Sequence, residues 1–178
     1  MNTTINVEIE GLTPLLLNRF HEDDLADNHV RKERPTPEED ATNRLYQNGQ
    51  GVFFPAENIR QSMIVAASRH KIGRRAATTD VAAAVYVFPF ELSLEGEWHV
   101  DSRAVVIPAT KGRVMRHRPM FDTWKIKFQI GVDTSLVSEK LIQSILEDSG
   151  KLVGLGDFRP ARKGPYGRFS VTTWEKAK

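Results

Sequence analysis

The chain contains no cysteine, and this absence excludes two kinds of site. Disulfide bridges cannot form, and a zinc centre built on thiolates cannot be assembled. No apolar run approaches the roughly 20 residues that span a bilayer, and the first residues lack the charged-then-apolar pattern of a secretory signal. We therefore expect one domain over residues 1–178, in a cytoplasmic protein that needs no membrane and no cofactor.

Excess charge is also scarce, since the formal net charge is only +2, but the charges are segregated along the chain. Residues 20–40 are rich in Asp and Glu, and the basic residues form three later clusters. The first basic cluster contains Arg69, Lys71, Arg74 and Arg75, the second contains Lys111, Arg113, Arg116, His117 and Arg118, and the third contains Arg159, Arg162, Lys163 and Arg168. Such clusters indicate a nucleic-acid binding stripe, although Arg69 and Lys71 would also complement a helix dipole.

Alternating apolar and polar residues predict most of the strands. The predicted strands cover residues 5–9, 88–94, 105–107, 113–118, 124–130 and 168–174. Pro89 within the second of these predicts an edge position or a bulge. The two middle strands form a small basic hairpin that turns at residues 110–112. In the clearest strand, Trp124, Ile126, Phe128 and Ile130 are expected to face the core.

The predicted helices lie between these strands. Thr36 is expected to cap a short helix with Pro37 in its first turn. The two longer helices are bounded by Pro55 and Gly73, and by Thr134 or Ser135 and Gly150. The resulting order predicts an α+β fold with a ferredoxin-like (RRM-like) βαββαβ core. A long loop follows the first strand, and a basic hairpin insertion at about 74–120 precedes the third core strand.

Residues 154–169, which we call the glycine-rich loop, are the most informative segment. Gly154, Gly156, Gly164 and Gly167 alternate there with the third basic cluster and with Phe158 and Tyr166. Glycine lets a backbone approach a ligand closely, cations contact phosphates, and aromatic rings stack on bases. The alternative is an ordinary connection, because Gly and Pro also punctuate loops.

Other groups carry weaker chemical signals. The segment 21–29 holds two histidines with Asp23, Asp24 and Asp27, which are possible ligands for Mg²⁺, Mn²⁺ or Zn²⁺ in no recognised metal spacing. His117 has the chemistry of a general acid, although its flanking arginines favour a phosphate contact. Gly154 and Gly156 follow a predicted helix and lack a later glycine at the dinucleotide spacing, so a Rossmann site is excluded.

Two motifs resemble those of a known family. Residues 53–63, Phe-Phe-Pro-Ala-Glu-Asn-Ile-Arg-Gln-Ser-Met, resemble the strand–proline–helix entry of the RAMP superfamily, the CRISPR-associated RNA-binding proteins. The glycine-rich loop resembles the loop of that superfamily between the last helix and the last strand. The chain is most similar to the backbone subunit that polymerises along a guide RNA, or to a stand-alone or phage-encoded relative. The segment 74–120 would then be the extended thumb hairpin.

The resemblance implies a non-catalytic, sequence-independent subunit that binds single-stranded guide RNA and oligomerises along it beside other effector subunits of an antiviral ribonucleoprotein. The predicted RNA-binding residues are Arg60, Gly154, Gly156, Phe158 and Tyr166, together with the three basic clusters. One alternative is a metal-dependent endoribonuclease that uses the acidic loop 21–29, because in some branches of the superfamily an aspartate in the loop after the first strand cleaves target RNA. The other is a phage single-stranded DNA-binding or annealing protein, since contacts to the 2′-hydroxyl leave no trace in composition.

Overall fold

The structure is a computed structural model, and it describes residues 2–21, 35–106 and 110–177. Its strands are β1 (Asn2–Gly11), β2 (Leu15–Leu16), β3 (Gln47–Asn48), β4 (Gly51–Pro55), β5 (Lys71–Ile72), β6 (Arg75–Ala76), β7 (Val85–Phe88), β8 (Glu91–Glu95), β9 (Trp98–Val106), β10 (Arg113–Phe121), β11 (Lys125–Asp133) and β12 (Phe169–Lys176). Its helices are α1 (Pro37–Asn43), α2 (Ala56–Ala67), α3 (Thr78–Ala84) and α4 (Glu139–Asp148), followed by a π-helical turn (Ser149–Val153) and a 3₁₀ turn (Pro160–Arg162).

The main sheet has seven strands in the order β12-β1-β11-β8-β4-β3, with β7 paired beside β8 on β11. Strand β1, second from one edge, runs antiparallel to both β11 and β12. Along β11, residues 129–132 pair with β7 and residues 125–126 pair with β8. Helices α2, α3 and α4 contribute buried residues to the same core as these strands. The α+β class is therefore confirmed.

The predicted face of the strand at 124–130 is confirmed. Trp124 is 2% exposed and Phe128 is 4% exposed, and both belong to the main hydrophobic core. The opposite face is polar, as the alternation requires. There Lys127 lies 3.3 Å from the Glu95 carboxylate and 3.6 Å from that of Glu8. The hydrogen bond to Glu95 and the charges of both glutamates raise the pKa of Lys127.

The first helix begins as predicted. The Thr36 hydroxyl accepts a hydrogen bond from the Glu39 N–H, and the Glu39 carboxylate accepts one from the Thr36 N–H, so the two form a capping box. The prediction that Gly73 ends the next helix is wrong. Helix α2 ends at Ala67, and Gly73, with φ +63°, turns the two-residue strands β5 and β6 into a hairpin.

Both predicted boundaries of the last helix are also wrong. Ser138 caps α4, because its hydroxyl accepts from the Leu141 N–H. Ser135 instead donates its hydroxyl and its N–H to Asp133 in a tight turn before the helix. These two hydrogen bonds lower the pKa of Asp133. At the other end, Gly150 lies inside the π-helical turn against Phe169, and the helical path ends at Gly154.

The strand predicted over 88–94 is divided in two. The chain leaves β7 at Phe88, passes Pro89 and resumes in β8 at Glu91, so Pro89 lies in a break between two strands, where an edge position or a bulge was predicted. Phe90, an apolar residue of the strand predicted over 88–94, lies in the break and is 87% exposed, so it takes no part in the alternation of that strand. Residues 78–95, which the predicted insertion at 74–120 includes, form α3, β7 and β8 and contribute side chains to the main core.

The remaining part of that segment is a long hairpin. Strands β9 and β10 pair antiparallel from Arg113–Val106 at the far end to Phe121–Trp98 at the base, and β2 adds two residues to β10. The basic hairpin predicted around residues 110–112 is confirmed and is longer than expected. None of the helices in the described ranges is long and apolar enough to cross a membrane.

Candidate nucleic-acid interface

A cleft of about 280 Å³ lies between α2 and the glycine-rich loop. Helix α2 contributes Asn58, Gln61, Ser62 and Val65, which share one helix face because they are spaced by three or four residues. The loop contributes residues 154–157 and Arg159, and the segment after β2 contributes Leu17 and Asn18. The two motifs that resembled the RAMP superfamily, at 53–63 and 154–169, thus face each other across one cleft.

The loop is held by its glycines against the chain itself. Gly156 has φ +71°, and a side chain there would press on the Leu16 carbonyl oxygen. A side chain at Gly164 would overlap the Phe158 carbonyl. The Asp157 N–H donates to the Leu16 oxygen at 2.7 Å across the same close approach. The glycines therefore permit tight packing of the loop, which is a reason for them that requires no ligand.

An ion pair joins the glycine-rich loop to the base of the β9–β10 hairpin. Arg118 Nη1 lies 2.7 Å from Asp157 Oδ2, and only 9% of the Arg118 side chain is exposed. Asn18 donates to the same carboxylate oxygen, and the Phe158 N–H donates to the other. The second and third basic clusters are consequently adjacent at this point. Arg118 itself is used internally here, and its predicted contact with RNA stays a prediction.

The two aromatic residues of the loop lie beside this ion pair. The rings of Phe158 and Tyr166 are 6.1 Å apart and tilted by 54°, and the Arg103 guanidinium lies 5.0 Å from the centre of the Tyr166 ring. Arg103 Nε donates to Asp101 at 2.8 Å, and this hydrogen bond raises the pKa of Arg103. Phe158 is 44% exposed, so one of the two rings offers a substantial surface to solvent.

The first basic cluster lies beyond the other end of α2. His70, between two members of that cluster, pairs with Asp148 at 2.9 Å, and Arg75 pairs with Asp80 at 2.7 Å. Arg60 donates to the carbonyl oxygens of Val85 and Ala82, at 2.9 and 2.6 Å, and secures the end of α3. Arg60 therefore has a structural role on a different side of α2 from the cleft.

Eight of the predicted cations are exposed and form no ion pair with a described residue. They are Arg69, Lys71, Arg74, Lys111, Arg113, Arg162, Lys163 and Arg168. Three of them, Arg162, Lys163 and Arg168, belong to the glycine-rich loop, and two, Lys111 and Arg113, stand at the far end of the hairpin. The structure thus separates cations that stabilise the fold from cations whose charge is directed to solvent.

The remaining candidates are His117 and the aspartates of the segment 21–29. His117 Nδ1 and the Ser102 hydroxyl are 2.7 Å apart. The backbone N–H of His117 donates to the Asp40 carboxylate at 3.4 Å. Asp23, Asp24 and Asp27 lie outside the described residues. Within the described ranges, no group of three or more His, Asp and Glu residues is arranged to hold a metal ion.

Sequence reasoning missed the amides of the cleft. Asn58 and Gln61 stand in the motif at 53–63, but a criterion based on positive charge favours Arg60, which lies between them. Helical spacing was the available signal, since residues 58, 61, 62 and 65 recur on one face and residue 60 does not. Asp157 was also missed, because a single carboxylate within a basic loop gives no signal of its buried partner.

Comparison with known proteins shows a similar fold and assigns the chain to no family. No protein-family model matches the chain, and no curated protein matches it. A chain in the cryo-electron microscopy structure of the Type III-B Cmr-beta bound to cognate target RNA is similar in structure, with a TM-score of 0.54. The match covers 99% of this chain at 15% sequence identity, and it spans 61% of the length of that chain.

Proposed function

We propose that this protein is a RAMP-type subunit that binds single-stranded RNA without cutting it. The observation that carries the proposal is the convergence of the two motif segments, 53–63 and 154–169, on one cleft, together with the exposed cations that the glycine-rich loop carries. The exposed charges of Arg162, Lys163 and Arg168 suit a phosphate backbone.

The fold supports the same proposal. The strand order β12-β1-β11-β7, with α2 following β1 and α4 following β11, agrees with a ferredoxin-like βαββαβ core. A chain of an RNA-bound Cmr-beta complex has a similar fold. We therefore infer that the bound polymer is a guide RNA, recognised through its backbone while base pairing carries the sequence information.

Side-by-side assembly along the RNA is the finer part of the proposal. The β9–β10 hairpin belongs to a separate three-stranded sheet, and its far end carries Lys111, Arg113 and the exposed side chain of Met115. Such an end is suited to contact nucleotides that a neighbouring copy holds. Mass measurement with and without a long RNA tests this part separately. We expect larger assemblies that disappear on RNase treatment.

The experiment that tests the function is purification without nuclease, followed by extraction and sequencing of copurifying nucleic acid. We expect RNA of defined repeat–spacer form. Heterogeneous RNA would support RNA binding and remove the guide assignment, whereas DNA would favour the phage alternative. A monomer free of nucleic acid would contradict the proposal. As a matched pair, Arg162→Ala combined with Lys163→Ala should lose bound RNA, and Lys140→Ala on α4 should retain it.

A further inference from the structure

Phe158 carries an aromatic ring at the surface of the glycine-rich loop. The residue is 44% exposed, and it is not among the residues that line the cleft. Its ring lies 6.1 Å from that of Tyr166, and the Arg103 guanidinium lies 5.0 Å from the centre of the Tyr166 ring. Tyr166 is thus engaged by two neighbours, whereas the uncovered part of the Phe158 ring is free to meet a binding partner.

The backbone of Phe158 is fixed in a conformation that aromatic residues rarely adopt. Its φ is +48°, in the left-handed region, which is unfavourable for a residue with a Cβ atom. The Phe158 N–H donates to Asp157 Oδ1 at 2.8 Å, and the Phe158 carbonyl oxygen accepts from the Tyr166 N–H at 3.3 Å. Asp157 is itself held by the buried Arg118. Because the ring is held in place from both sides, little freedom remains to be lost when a partner binds to it.

Exposed cations lie in the same part of the loop. Gly164 packs so closely against Phe158 that a side chain at Gly164 would overlap the Phe158 carbonyl. Lys163 directly precedes Gly164, and Arg162 precedes Lys163. Both cationic side chains are exposed, and neither forms an ion pair with a described residue. An exposed ring and unneutralised positive charge therefore occur together, and this combination favours an anionic polymer over an apolar protein segment.

We propose that Phe158 is a platform on which one base of the bound RNA stacks, an inference that rests on the proposed function. A protein that binds a single strand without sequence preference combines cations for the phosphates with aromatic rings for the bases. Every base has a π-face, so the platform accepts all four bases. The Phe158 side chain has no hydrogen-bonding group, so it adds affinity without reading the sequence.

The test is binding of short fluorescent RNA strands of equal length to the full chain at several salt concentrations. One strand contains only uridine, one contains only cytidine, and one carries abasic riboses along the same phosphate backbone. Phe158→Leu keeps an apolar side chain and removes the π-face. We expect it to bind the uridine and cytidine strands about fivefold more weakly, at the low end of what one stacked base contributes, with an unchanged salt slope. Phe158→Trp should bind both strands at least as tightly as the parent.

The abasic strand separates stacking from an effect on the loop itself. Phe158→Leu should bind this strand like the parent, because no phosphate contact is lost. The matched control is Phe90→Leu, at a phenylalanine that is 87% exposed between β7 and β8, and it should bind every strand like the parent. If Phe158→Leu binds the base-containing strands like the parent, or weakens binding of the abasic strand equally, this inference is overturned while the proposed function stands. If the parent binds no strand, the proposed function and this inference fail together.

Discussion

Loss of the ion pair between Arg118 and Asp157 has the most clearly predicted effect on the stability of the fold. Asp157→Ala would leave the Arg118 guanidinium without its carboxylate in a site where only 9% of the side chain is exposed. Breaking a buried pair by removing one partner costs about 3–5 kcal/mol. Because 32% of the Asp157 side chain is exposed, water can replace part of the lost contact. We therefore expect a loss of about 2–3 kcal/mol in the free energy of unfolding.

A double-mutant cycle separates the pair from its surroundings. Arg118→Met keeps the apolar stem of the side chain and removes the charge, so in that background Asp157→Ala no longer strands a buried cation. We expect the two changes together to cost less than their sum, with a coupling energy of about 1–2 kcal/mol. Urea denaturation followed by tryptophan fluorescence measures each free energy of unfolding, and an unchanged m-value confirms comparable unfolded states.

The matched control is Asp122→Ala. Asp122 is 65% exposed in its side chain and lies 3.5 Å from His99, so its loss should stay within about 0.5 kcal/mol. If Asp157→Ala is equally mild, or if the effects of Asp157→Ala and Arg118→Met simply add, the pair does not fasten the glycine-rich loop to the hairpin. The reasoning about that connection would then be refuted.

Three further predictions concern the fold. Phe128→Ala should lower the free energy of unfolding by about 3–5 kcal/mol, because the ring is buried between sheet and helices; a loss below about 1 kcal/mol in chemical denaturation would contradict this packing. Gly164→Ala should cost about 1–3 kcal/mol, because the new methyl group overlaps the Phe158 carbonyl, and a thermal midpoint equal to that of the parent would contradict it. Ser135→Ala removes a hydrogen bond that lowers the pKa of Asp133, so that pKa should rise in an NMR titration. In the parent, the associated stabilisation is complete above the unfolded pKa of about 3.9 and is lost as the pH falls through the lower folded value; an unchanged pKa in the variant would contradict the assignment.

Much of the fold could be predicted because its strands alternate and its helices are amphipathic. The faces of β1 and β11 followed from a period of two, and the start of α1 followed from Thr36 and Pro37. Helix ends were predicted poorly, because several residue types satisfy the same local rule. Ser135 and Ser138 are both suitable caps, and the choice depends on Asp133, whose carboxylate binds Ser135 in a turn.

The residue types of the candidate site could be predicted from the sequence, but their arrangement in space could not. The glycine-rich loop stood out by its glycines and cations, and the structure places it against α2. Charge alone could not tell Arg118 and Arg60, which are bonded internally, from Arg162 and Lys163, which are exposed. That distinction depends on partners distant in the chain, such as Asp157 at 39 residues from Arg118, and local patterns do not report them.

The salt dependence of RNA binding tests the central claim most directly. Each cation that neutralises a phosphate contributes about 0.7 to the slope of log affinity against log salt on a single strand. We expect Arg162→Ala, Lys163→Ala and Arg168→Ala each to reduce the slope by about that amount and to weaken binding of unrelated sequences by similar factors. Lys140→Ala on α4 should leave slope and affinity unchanged. If the three loop variants bind like the parent at every salt concentration, the glycine-rich loop does not contact the phosphate backbone and the account is contradicted.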